Sequence, residues 1–274
     1  MSKYSVSQWI YGREPVEAGL DRLARYGYDG VELVGEPDAH DQAKLRRMLG
    51  ERSLVASSVC GLYGAERDLS HGDDSIRRGA VEYVKACCDL AAETGAGIVI
   101  VVPSPVGKPE PTSPVEDELK LAAESIRTAG EYAATVGVGL VIEALNRYET
   151  YLVTTIDMAL EFARTVDLPN VGVMADAFHM NIEEASPSES VRRAGGMLRH
   201  FHLADSNRQA VGRGHLDFPG LLAALDELGY EGWYTMEFLP PTANPYAAAG
   251  QDAARDPLDA FTEESIRRMR ELRG

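Results

Sequence analysis

The sequence predicts an α/β fold, a single (β/α)8 TIM barrel spanning residues 1–274. Short apolar runs alternate with longer amphipathic segments, eight pairs in all, and a parallel barrel wrapped in helices needs that alternation. Several runs are apolar throughout, AGIVIVV at 96–102 above all, which suits strands covered on both faces. An open doubly wound sheet is the competing architecture. It would carry a glycine-rich phosphate loop after an early strand, and no GxGxxG or Walker sequence stands there.

The strands are placed at 4–11, 30–34, 54–60, 96–102, 139–143, 171–175, 199–203 and 233–238. Helices are placed between them at 15–26, 40–52, 75–94, 115–136, 155–165, 189–198 and 218–228, with a charged helix at 257–272 closing the chain. Pro15 suits a first helical turn, and Gly95 and Gly137 stop the helices before them. Gly27-Tyr28-Asp29-Gly30 before the second strand echoes Gly229-Tyr230-Glu231-Gly232 before the eighth. A shared helix-to-strand turn accounts for that echo as well as an internal repeat does.

Composition removes several function classes. With 27 basic against 43 acidic residues the net charge is -16, which repels polyanions and argues against a nucleic-acid partner. Cys60, Cys87 and Cys88 have neither disulfide-framework nor zinc-ribbon spacing, so a reduced, cytoplasmic setting is expected. No apolar run reaches about 18 residues and no secretory leader pattern opens the chain; a soluble, unprocessed protein without a membrane partner is expected.

The chemistry gathers where strands end. Leu140-Val141-Ile142 runs into Glu143, and a buried strand has no structural use for a charge at its end unless something pairs with it. The next strands end alike, on Asp176, His202 and Glu237. A carboxylate closing a strand is often a helix cap or a surface charge. Four such ends in consecutive strands converge on the active-site face of a barrel, and three carboxylates there repel one another without a cation. Oxygen-rich ligation with one nitrogen suits Mn²⁺, Mg²⁺ or Co²⁺ and admits Zn²⁺. His200 faces the same side as His202 but one layer deeper, so His202 is the expected ligand and His200 a hydrogen-bonded interior residue. Glu149, His179 and Arg208 follow on the adjoining loops, placed either to reach a hydroxylated ligand or to face solvent.

The segments VIEALNRYET, DAFHMNIEE, HFHLADSNRQAVGRGHLDF and YTMEF resemble signature segments of the xylose-isomerase-like TIM-barrel superfamily, and most of all its D-tagatose 3-epimerase (ketose 3-epimerase) group. The resemblance is strongest over 139–238; the first half matches only in its βα pattern. It implies one divalent metal, Mn²⁺ first and otherwise Co²⁺, Mg²⁺ or Zn²⁺, held by Glu143, Asp176, His202 and Glu237. Glu143 and Glu237 would also be the acid/base pair, and Glu149, His179 and Arg208 would hold the sugar at its carbonyl end. The implied reaction is C3 epimerisation of a free ketose through a cis-enediolate. An unphosphorylated substrate is preferred because Gly212-Arg213-Gly214 is the one phosphate cradle the late loops offer.

Other chemistries on this scaffold are inosose isomerisation or dehydration and hydroxypyruvate isomerisation. An apurinic endonuclease needs further histidine ligands from early strands, where the chain has only His40 and His71, neither at a strand end. A non-catalytic sugar-binding barrel would not need two proton carriers. Where many ketose epimerases carry Pro-Trp, this chain has Leu216-Asp217-Phe218, so a different substrate wall is expected. Trp9, Tyr11 and residues 60–63 are candidate pocket lining. The resemblance allows a homo-oligomer, dimer or tetramer.

Overall fold

The computed structural model describes residues 2–242 and 255–274. Strands β1 (Lys3–Ser7), β2 (Gly30–Gly35), β3 (Val55–Gly61), β4 (Ile98–Val101), β5 (Gly139–Glu143), β6 (Val171–Asp176), β7 (Leu198–Leu203) and β8 (Trp233–Met236) pair in sequence order. All pairings are parallel, and β8 pairs back onto β1 to close the barrel. Outside it lie α1 (Val16–Tyr26), α2 (Gln42–Glu51), α3 (Asp74–Thr94), α4 (Val115–Thr135), α5 (Ile156–Val166), α6 (Ala177–Glu183), α7 (Pro187–Ala194), α8 (Phe218–Glu227) and α9 (Arg255–Arg273). No helix among the described residues is long and apolar enough to cross a membrane.

Local chemistry sets the joints. Asp41, Asp73 and Thr155 accept a backbone N–H in the first turn of α2, α3 and α5, satisfying donors that a helix start leaves open. Gly27 and Gly229 stand after α1 and α8 with φ of 76° and 64°, where a side chain would be strained. The tyrosine after each turns to a different partner, Tyr28 to the Thr262 carbonyl and Tyr230 to the Trp233 carbonyl.

Several boundaries differ from expectation. The first strand ends at Ser7, and residues 8–11 turn inward as a 3-10 turn (Gln8–Tyr11), whose Gln8 side chain accepts the Val34 N–H at 3.2 Å. The fourth narrows to Ile98–Val101, and the eighth stops at Met236, leaving Glu237 just past its end. Helix α6 was not expected; seven residues are too few to show a helical period. Helix α7 begins at Pro187 and ends at Ala194, followed by a 3-10 turn (Gly195–Met197) that brings β7 in at Leu198.

The barrel interior is divided. Cys60, Ile100, Val141 and Met174, from β3 to β6, form an apolar cluster separate from the larger core beneath the helices. Ser5, Glu32, Ser58, His200, His202 and Thr235, all fully buried, make the other half polar. Two register shifts phase that half. An extra residue in β3 sets Ser58 opposite Glu32, and an extra residue in β7 sets His200 opposite Met174 and His202 opposite Asp176.

A buried ion pair ties the rim together. Lys108, in the loop after β4, donates to Asp68 at 2.8 Å and to Glu118 at 2.7 Å; both carboxylates are buried. Glu118 also accepts the Thr112 and Ser113 N–H groups, and Tyr151 from the loop after β5 donates to it. Removing one partner of a buried pair leaves uncompensated charge. Lys108→Met is therefore expected to lower the unfolding free energy by about 3 kcal/mol, read as a fall in the urea midpoint at unchanged slope.

Candidate active site

The C-terminal ends of β5 to β8 bring Glu143, Asp176, His202 and Glu237 to one point. One oxygen or nitrogen from each lies within 4.8 Å of the others, and all four residues are buried. Asp176 does two jobs. Its Oδ1 accepts the Phe178 N–H at 2.7 Å and caps α6, while Oδ2 turns to the site, where it takes a hydrogen bond from Arg208 at 2.6 Å. The helix cap is present, and the second oxygen is turned into the site.

The two glutamates differ sharply. Glu237 Oε1 accepts the Trp9 indole N–H at 2.5 Å, and its Oε2 meets His202 Nδ1 at 3.0 Å and the Arg208 guanidinium. Glu143 accepts no hydrogen bond among the described residues; His179 Nε2 stands 4.0 Å away. Burial pushes the Glu143 carboxyl well above its usual range, and the charges of Glu237 and Asp176 add to that against the opposing pull of His202. Burial also acts on Asp176, but Arg208 and the neighbouring imidazoles hold it well below the usual carboxylate range. Burial alone would lower His202, yet Glu237 and Glu32 keep it well above the usual imidazole value. Three acids and one imidazole, buried and only partly compensated, suit a hard divalent cation.

His179 and Glu149 are joined by Asn146. The Asn146 side-chain amide donates to Glu149 at 2.8 Å and lies 2.8 Å from His179 Nδ1, which also accepts the Asn146 backbone N–H at 3.2 Å. Nδ1 is therefore the unprotonated nitrogen, and Nε2–H points at Glu143 and Asp176. Burial lowers the His179 imidazole below its usual value, so the ring is a neutral donor aimed into the site. Arg147 instead pairs with Glu183 at the surface.

A cavity of about 470 Å³ opens above these groups. Its floor is Glu143, Glu149, His179, Arg208 and Glu237, and its walls are largely apolar, with Trp9, Leu62, Tyr63, Val102, Val106 and Leu145 among them. Asp176 and His202 lie beneath the floor, outside the lining. Residues 60–63 and Trp9 line the cavity as expected, whereas Tyr11 does not: its hydroxyl pairs with Thr262 toward α9. Phe218, from the Leu216-Asp217-Phe218 stretch, is core, and Asp217 caps α8.

The glycines at 212 and 214 do not form an open phosphate cradle. Asp205 already takes the Gly212, Ser206 and Leu216 N–H groups at 2.8, 2.7 and 3.1 Å, and a Cβ at Gly214 would collide with that carboxylate. Arg213 pairs with Glu264. His200 sits one layer down, 2.9 Å from Glu32. Glu32 went unnoticed in the sequence, although a charge in the middle of Val-Glu-Leu carried the same anomaly as Glu143. Its Oε2 also lies 3.0 Å from His202 Nε2.

Comparison with known proteins gives a consistent set. The family model described as xylose isomerase-like TIM barrel matches residues 20–271. The chain is similar to the L-ribulose 3-epimerase of Methylomonas sp. (strain DH-1), 34% identical over 217 residues, covering 78% of this chain and 75% of that protein. It is 29% identical over 250 residues to the 3-dehydro-D-guloside 4-epimerase of Escherichia coli (strain K12), covering 88% and 89%. The crystal structure of a D-psicose 3-epimerase with D-tagatose from Clostridium cellulolyticum H10 superposes with a TM-score of 0.88 at 25% identity, over 98% of this chain and 99% of that one.

The raised Glu143 carboxyl has a consequence for the metal-free protein. A folded state that holds this proton more tightly than the unfolded chain has its full contribution to stability below the ordinary carboxylate range. That contribution is lost as pH rises through the raised value. Glu143→Gln removes the loss, so in EDTA the variant should melt higher than wild type at about pH 8, with the advantage fading toward about pH 4. Melting curves that differ equally at both would contradict the assignment.

Proposed function

Because the chain belongs to the xylose isomerase-like TIM barrel family, we propose that it is a divalent-metal-dependent epimerase of a free ketose, inverting C3 through a cis-enediolate. The observation that carries this reading is the convergence of Glu143, Asp176, His202 and Glu237, with two glutamates in opposed environments at the floor of one cavity. Related proteins named as sugar epimerases support it. The four residues would hold the metal, Mn²⁺ first, which supplies a Lewis acid that acidifies the substrate carbon and stabilises the enediolate's charge.

The chain's own groups divide the remaining work. Glu237, its oxygens turned to the Trp9 and Arg208 donors, is the carboxylate that accepts a proton from carbon. Glu143, to which no described residue donates a hydrogen bond, is the partner that returns a proton to the opposite face. Each serves one face of the sugar, so removal and return on opposite faces invert the centre. His179 donates Nε2–H to a substrate oxygen, and Glu149 and Arg208 fix the neighbouring hydroxyls. Cys60 is not a nucleophile here, because burial and the surrounding carboxylates push its thiol well above the usual range.

The Asp205-filled loop favours a substrate without phosphate. A second reading has a specific basis. The Escherichia coli 4-epimerase relative is covered over 89% of its length, and the cavity's apolar outer walls suit a keto-sugar bearing a glycosidic substituent.

Glu143→Gln and Glu237→Gln, each in Mn²⁺, are expected to lose at least about a thousandfold in exchange of the C3 proton with solvent deuterium. Deuterium wash-in at the wild-type rate in either variant would overturn the two-glutamate mechanism. A panel of free ketoses, 3-keto-glycosides, inososes and hydroxypyruvate separates the two readings from other enolisations.

A further inference from the structure

We propose that Glu32, in the middle of β2, is a positioning residue of the metal centre, holding His202 with its Nδ1 lone pair toward the metal. This rests on the reading of Glu143, Asp176, His202 and Glu237 as metal ligands. His202 shows its two nitrogens to different surroundings. Nδ1 faces Glu237 Oε2 at 3.0 Å and Asp176 Oδ2 at 3.7 Å, among the other ligand oxygens. Nε2 faces Glu32 Oε2 at 3.0 Å. A cation among the ligands needs an unprotonated Nδ1, and the ring's proton then lies on Nε2, where it donates to Glu32.

Glu32 is built to receive it. The residue is fully buried, and the same Oε2 takes the Ser58 hydroxyl at 2.7 Å and His200 Nε2 at 2.9 Å. Thr235 and then Ser5 continue the network behind His200, at 3.2 and 2.7 Å. Glu32 Oε1 and His200 Nδ1 have no hydrogen-bond partner among the described residues, so the carboxylate's bonds all converge on the oxygen that meets His202. Barrel closure does not require an acid at this depth, since Ile100, Val141 and Met174 fill the opposite half with apolar atoms. A buried anion costs free energy unless it does something that an apolar residue cannot. Orienting the imidazole plane and excluding the Nδ1–H tautomer is such a task, and the anion also makes Nδ1 a stronger donor to the metal.

The test is Mn²⁺ titration of the full chain by calorimetry, for wild type, Glu32→Gln and Ser58→Ala. Glu32→Gln should weaken Mn²⁺ binding by about 10- to 100-fold. In ¹⁵N-histidine protein loaded with diamagnetic Mg²⁺, wild-type His202 should show an Nε2–H proton shifted far downfield, and Glu32→Gln should lose that shift. A purely structural role would lower the melting temperature without moving this resonance. Folded Glu32→Gln with Mn²⁺ affinity within twofold of wild type and an unchanged resonance overturns the proposal. Should Glu32→Gln not fold, Ser58→Ala decides: about a fivefold loss of affinity with a displaced resonance supports the role, and no change in either overturns it. A wild-type chain that binds no Mn²⁺ overturns the metal-centre reading and this role with it, whereas wild-type binding that Glu32→Gln leaves intact overturns only the role of Glu32.

Discussion

Glu32, Glu143, Asp176 and Glu237 are buried around His202, at separations where like charges repel strongly. Two unit charges 4 Å apart cost about 4 kcal/mol even at an effective dielectric of about 20. The molecule answers that repulsion with different means at each carboxylate. Arg208 spans Asp176 and Glu237, the two imidazoles of β7 meet at Glu32, and Glu143 is left to a proton. A cation bound there would replace that proton, so the same imbalance would favour loading of the proposed metal centre.

Beneath this charge the scaffold confines the polar interior to one side. Strands β3 to β6 fill the barrel with apolar side chains, and the polar layer runs through β1, β2, β7 and β8, with Ser58 of β3 at its border. The division depends on the two register shifts, because a strand's inward set changes with every one-residue slip. Above it the Lys108 strap fixes the loops after β3, β4 and β5 to one another, so the walls over the charged floor are anchored independently of it.

Much of this was legible in the sequence, for identifiable reasons. Strands buried on both faces announce themselves as apolar runs, and Glu143, Asp176, His202 and Glu237 stood out because each breaks such a run at its end. Glu149, His179 and Arg208 could be placed near the site by loop spacing, and the structure puts all three on the cavity floor. Asn146, which joins two of them, was visible only as a polar neighbour, because its role is a matter of where an amide points. Glu32 was hidden by its position inside a short apolar triplet. Its partners Ser58 and His200 come from distant strands, and the register shifts that align them leave no mark in composition. The inward turn at residues 8–11 likewise kept its apolar character while changing its backbone, which is why Trp9 reaches Glu237 and Tyr11 does not share its surroundings.

The loop after β7 carries an anion of its own. Asp205 collects backbone N–H groups as far along the chain as Leu216, and it is attached to the loop whose amides it occupies. A tethered group of this kind acts at an effective concentration of about millimolar or more, so a free anion must outcompete it before gaining anything from the same amides. Asp205 thus works as a built-in competitive occupant of these amides.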